Sequence, residues 1–227
     1  MAVPAKETDC SRAGRITRSL LGYGVLAGPV YVAAALVQGL LRPGFDLLHD
    51  DVSLLSNGSL GWIQIANFIV TGAFVIAAAI GMTRALGDRS VWAPRLLGIF
   101  GAGLVAAGVF VADPMNGFPA GTPAGRPETM TTHGILHIVA AAIGFLCLIA
   151  SCFVSARRYG REARPGMKWF SIVTGVVFLL SFAGVASGAS SPIVVLGFWA
   201  GVIVAFAWIA AVSVDLYRGT LVSPTAA

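Results

Sequence analysis

Charge is what this chain has least of. Only 11% of its 227 residues are Asp, Glu, Lys or Arg, against about 25% in soluble domains. Lysine is nearly missing: Lys6 and Lys168 are two of fifteen basic residues. The three cysteines, Cys10, Cys147 and Cys152, are too few and too irregularly spaced for a disulfide framework or a zinc knuckle, so they read as small packing residues. No polar stretch is long enough for a separate soluble domain. In a soluble protein a formal charge of +5 would point to nucleic acid, but here it sits in short segments between apolar runs. There it reports topology, and no nucleic-acid partner is expected.

What is abundant is apolar sequence, 57% of the chain with a mean hydropathy of +0.84. It falls into runs of about twenty residues, enough for a helix to cross a bilayer core. The fold class expected is all-α, a bundle of six transmembrane helices in the lipid bilayer. The spans are near 20–40, 62–82, 94–112, 132–154, 168–188 and 192–214, within one domain over 20–214. A basic tail covers 1–19 and a second tail 215–227. Pro94 and Pro192 stand where helices begin. Trp62, Trp92 and Trp169 stand where aromatic anchors occur. Gly28-Pro29 inside the first span is a candidate kink. Gly24/Gly28, Gly98/Ala102/Ala106 and Gly197/Gly201/Ala205 form small-residue faces for close helix approach.

Thirteen of the fifteen Lys and Arg residues fall on one side of this arrangement, and only Arg42 and Arg126 on the other. The positive-inside rule therefore places both termini in the cytoplasm. The preference for arginine, with abundant Ala, Gly and Val, suggests a GC-rich bacterial genome, hence a multi-pass protein of the bacterial cytoplasmic membrane.

The opposite, outer side carries all three histidines, His49, His133 and His137, and five of the ten acidic residues. In the 42–61 loop, Phe45, Leu48, Val52 and Leu55 fall on one helical face and Asp46, Asp50, Ser53 and Asn57 on another. This pattern predicts a short amphipathic helix in the interface, with a solvated loop as the alternative. Gln64, Asn67 and Thr71 share a face of the second span, and Gln38 could join them. They serve either a ligand or interhelical hydrogen bonds. Asp113 sits at a membrane edge, where an unpaired acid is costly. It is a functional candidate, or a cap for a turn. His133 and His137, one helical turn apart, could share a metal such as zinc with Asp113 as third ligand. The alternative is structural or proton-handling imidazoles. The candidate ligand pocket comprises Asp46, His49, Asp50, Ser53, Gln64, Asn67, Asp113 and Asn116. The central parts of the last two spans hold no ionisable residue, which argues against a proton pump.

Several motifs fall within these segments. They are Gly44-Phe45-Asp46, Ser53-Leu54-Leu55-Ser56-Asn57-Gly58, Gly61-Trp62-Ile63-Gln64 with Asn67-Phe68 and Gly72, Gly108-Val109-Phe110 with Asp113-Pro114 and Gly117, and His133-Gly134 with His137. Through them the chain resembles the bacterial and archaeal membrane family called domain of unknown function 998. The resemblance implies a multi-span helical membrane protein and lends no activity. A looser likeness joins Ser53, Asp113, His49, His133 and His137 to the Ser, Asp and three His around zinc in alkaline ceramidases, although helix count and motif order differ.

Three functions follow. The first is a non-enzymatic membrane protein whose outer polar pocket binds a small ligand, a lipid headgroup or an ion. The second is a metal-dependent hydrolase of lipid or amide bonds, using metal-bound hydroxide. The third is a structural subunit in which the polar residues are helix glue. The first is favoured, and an enzyme is the lesser expectation.

Overall fold

The computed structural model describes residues 12–222. Lys6, Cys10 and the last five residues of the C-terminal tail lie outside them. Six helices are long and apolar enough to cross a membrane. They are α1 (Arg12–Leu41), α2 (Gly61–Leu86), α3 (Trp92–Val109), α4 (Thr132–Arg161), α5 (Pro165–Ala186) and α6 (Pro192–Val222). No β-strand is formed among the described residues. In lipid every backbone N–H and C=O must find an internal partner, and a helix supplies one to each residue.

Each helix packs on the next in sequence, and α6 returns to α1, so the six close into a ring. One face bears both ends of the described chain and the turns after α2 and α4. It is called the terminal face here. The other, the loop face, bears residues 42–60, 110–131 and 187–191.

Helix bounds depart from the hydropathy spans mainly at the terminal face. There α1 begins at Arg12, α4 runs to Arg161 and α6 to Val222. Hydropathy marks only the hydrocarbon core, whereas the backbone continues helical into the interface where the arginines lie. At the loop face α3 stops early, at Val109, and Phe110 is already extended. Helix α1 continues through Pro29. The three tryptophans expected as anchors are exposed at helix starts, with Arg95 over Trp92 and Lys168 over Trp169.

Small residues set the helix contacts. A Cβ on Gly72 would come within 2.6 Å of the Gly101 carbonyl oxygen, and one on Gly101 within 2.8 Å of Ile76. Gly28 lies equally tight against Phe206, and Gly24 against Ser213, which joins α1 to α6. Gly201 meets Ser181, whereas Gly197 meets nothing, so the expected stripe on α6 is used at only part of its length. Polar bonds add to these contacts: Ser151 donates to the Ala93 carbonyl (2.8 Å), Trp208 to Ser171 (2.9 Å) and Arg84 to Thr17 (3.0 Å). Cys147 and Cys152 are free thiols, partly and fully buried respectively.

This geometry makes a testable distinction. Gly72→Val should destabilise the detergent-solubilised protein by about 1–3 kcal/mol through overpacking. Gly22→Ala, where a Cβ meets nothing, should be neutral or stabilising by up to about 1 kcal/mol. Equal losses in chemical unfolding would show that the α2–α3 contact is not close.

Candidate functional site

The residues singled out at the loop face separate into three groups. The first is a self-contained rim. The backbone N–H of Asp46 donates to Asp50 Oδ2 (2.8 Å) and that of Leu48 to Asp46 Oδ1 (2.8 Å), while His49 Nδ1 meets Asp46 Oδ2 at 2.7 Å. The Leu48 amide, then His49, draw the Asp46 carboxyl below the usual range. Burial pushes Asp50 up, opposed by the Asp46 N–H and by a hydrogen bond with Asn116. So Asp46, His49, Asp50 and Asn116 do come together, but they satisfy one another.

These side chain-to-backbone bonds also compete with helix formation. The amphipathic helix expected through residues 45–55 is replaced by a turn followed by a 3-10 segment, Val52–Ser56. Leu48, grouped by spacing with Val52 and Leu55, is 45% exposed, whereas Leu54 is buried beside them at 1%. The segment is held from below by Arg42, which donates to the Leu55 carbonyl and to the Asn57 carbonyl (2.5 Å) and lies over the Phe118 ring. The sequence reading used Arg42 only as a topology marker.

The second group is a buried polar seam between α1 and α2. Gln38 Nε2 donates to Gln64 Oε1 (2.9 Å), and Asn67 Nδ2 donates to Gln64 Oε1 (3.2 Å) and to the Tyr31 carbonyl (3.1 Å). Thr71 donates to Asn67 Oδ1 (3.3 Å). Gln64 and Asn67 therefore face α1 and do not line a pocket. Together with Gln38 they form interhelical hydrogen bonds.

The third group surrounds the α3–α4 connection. Asp113 accepts from the Thr131 N–H (2.8 Å) and hydroxyl (2.5 Å), and Thr131 in turn caps α4 by accepting from the Gly134 N–H (3.0 Å). Gly134 carries no Cβ because one would overlap the Asp113 carboxylate. His137 Nδ1 donates to the carbonyls of Phe110 (2.8 Å) and Ala107 (3.1 Å), covering backbone acceptors left open where α3 ends. His133 is exposed, edge-on to Phe110. An imidazole held as His137 is could ligate a metal through Nε2. However, among the described residues no three His, Cys, Asp or Glu side chains are gathered to hold an ion. The expected set of His133, His137 and Asp113 is not assembled, because Asp113 is spent on the cap and His133 points to the surface.

Beside this group a cavity of about 390 Å³ opens within the ring, between α3, α4, α5 and α6. Its walls are apolar. Phe145 stands edge-on to Phe178 (5.3 Å), Phe182 (5.3 Å) and Phe198 (5.6 Å), and all four line it. Polar side chains gather at the loop-face end, where Asp51, Ser53, Asp113, Arg126 and His137 contribute. Ser53, Asp113 and His137 were anticipated. Asp51 and Arg126 were not, although an arginine on the arginine-poor side was a signal. Arg126 lies against Gly188 in the α5–α6 turn, where a Cβ would stand 2.7 Å from its Nη1. Gly188 is also in the left-handed region, φ 87°, which favours glycine.

Burial raises the Asp51 carboxyl above its ordinary value, the nearby Arg126 opposes this, and Asp50 reinforces it. An acid raised by folding stabilises the fold fully below its unfolded pKa of about 4, and that contribution is lost as pH rises through the folded value. Asp51→Asn removes the titration. Between about pH 4 and pH 7 its melting temperature should fall less than that of the wild type. Parallel melting curves would contradict the assignment.

The model of the family described as "Protein of unknown function (DUF998)" matches residues 25–215. No curated protein and no solved structure matches the chain. The matched region takes in all of α2 to α5, most of α1 and α6, and both long connections at the loop face, so the chain belongs to the DUF998 family of membrane proteins of unknown function.

Proposed function

We propose that the protein binds an amphiphilic, lipid-like molecule, with its apolar part in the phenylalanine-lined cavity and its polar head between Asp51 and Arg126. The observation that carries this reading is the sorting of the cavity wall, aromatic and aliphatic within and charged only at the loop-face end. Small-molecule sites are concave and mostly apolar, with a few placed polar groups. An apolar-walled volume more than twice the ~150 Å³ that admits a benzene ring is costly if left empty. A base opposite a half-buried acid suits a head carrying charges of both signs.

A route from the bilayer is also supported. Between Ile138 and Ile143 on α4, and between Leu179 and Ala186 on α5, no residue is buried, although both stretches contribute to the cavity wall. They are bordered by the cavity inside and by the membrane outside. With the basic terminal face in the cytoplasm, the mouth opens to the outer leaflet of a cytoplasmic membrane. The hydrolase reading lacks its assembled metal ligands. The structural-subunit reading accounts for the α1–α2 seam but gives no reason for the cavity.

The test is mass spectrometry of lipids retained by the protein after purification in mild detergent. The wild type should retain a defined amphiphile. Ala142→Trp, which fills the cavity wall, should lower retention about tenfold, equivalent to 1.4 kcal/mol, while the melting transition persists. Equal lipid content in both proteins would refute the reading.

A further inference from the structure

A second pocket, of about 180 Å³, lies at the terminal face among Arg89, Arg158, Glu162, Arg164 and Asp215. Its carboxylates are already matched. Glu162 receives both of its bonds from Arg158 Nη1, at 3.2 and 3.3 Å. Asp215 is held by Arg164 (2.5 and 2.7 Å) and by the Tyr159 hydroxyl (2.9 Å). Arg89 adds a third guanidinium. It donates to the Leu86 and Ala85 carbonyls and makes no ion pair among the described residues. Three cations against two anions leave the pocket with one excess positive charge.

Arg158 is only 7% exposed, seated with its guanidinium carbon 3.9 Å from the Tyr159 ring centre, and its Nη2 is buried without a hydrogen-bond partner. A buried charged donor left unpaired is a standing cost that an added acceptor removes. We propose that this pocket takes the phosphate group of an anionic ligand, to whose oxygens Arg158 and Arg89 donate. A guanidinium fork matches phosphate oxygens in shape and charge. The pocket also lies at the basic end of the bundle, where lipid phosphates collect. The chemistry is that of a lipid headgroup or of free phosphate. It is independent of the amphiphile cavity at the other face, from which it is separated by the length of the helices.

The experiment is thermal melting of the full-length protein in neutral detergent. Inorganic phosphate, phosphatidylglycerol and phosphatidylcholine are titrated separately at constant ionic strength. A rise with inorganic phosphate supports the site and names soluble phosphate as sufficient. A rise with phosphatidylglycerol alone supports it and names the lipid headgroup. Arg89→Gln, which leaves the Arg158–Glu162 pair in place, should weaken the apparent affinity about tenfold. Glu162→Gln, which frees Arg158 Nη1, should strengthen it. No rise with phosphate or phosphatidylglycerol, an equal rise with phosphatidylcholine, or an unchanged response in both variants would overturn the proposal.

Discussion

The structure depends on one constraint: in a bilayer, apolar surface gains nothing by leaving lipid for protein, so helices must be held together by something other than hydrophobicity. Here two devices do it. Backbones approach where Gly72 meets Gly101 and where Gly24 and Gly28 meet α6, and amides pair where Gln38, Gln64 and Asn67 bridge α1 and α2. Close approaches also occur around the cavity, where Gly103 meets Ala140 of α4 and Gly201 meets Ser181 of α5. Large aromatic side chains occupy the space between α3, α4, α5 and α6, and the gap they leave is the cavity.

The same constraint explains the loop face. A helix that stops near the membrane edge exposes carbonyls or N–H groups that water reaches poorly. Helix α3 is finished by an imidazole from α4, and Thr131, which caps α4, is held by an aspartate from the α3 exit. His137 thus covers the end of α3, and Asp113 supports the cap of α4. This accounts for an acid and a base at that depth without any chemistry on a substrate. It also fixes the floor on which Ser53, Asp51 and Arg126 gather.

Helix number and the polar seam were legible in the sequence because they rest on local signals: twenty-residue apolar runs, and Gln64, Asn67 and Thr71 on one helical face. The loop was less so. Its pattern of Phe45, Leu48, Val52 and Leu55 is helical by spacing alone. The aspartates that interrupt it bond to their own backbone, and Arg42 then ties down a shorter segment that buries Leu54. Asp51 and Arg126, which meet at the cavity mouth, are seventy-five positions apart, which no periodicity reveals. The cavity was invisible for a related reason. An apolar residue facing a void and one facing lipid read alike, so only polar residues stand out as site candidates in the sequence.

The central claim is that the space between α3, α4, α5 and α6 belongs to a bound amphiphile. An electron cryomicroscopy map of the protein in lipid nanodiscs tests it most directly. The account predicts elongated non-protein density running from Phe145 and Phe178 to a head beside Arg126 and Asp51. A map in which the helices close on one another and the phenylalanines fill the space would contradict it.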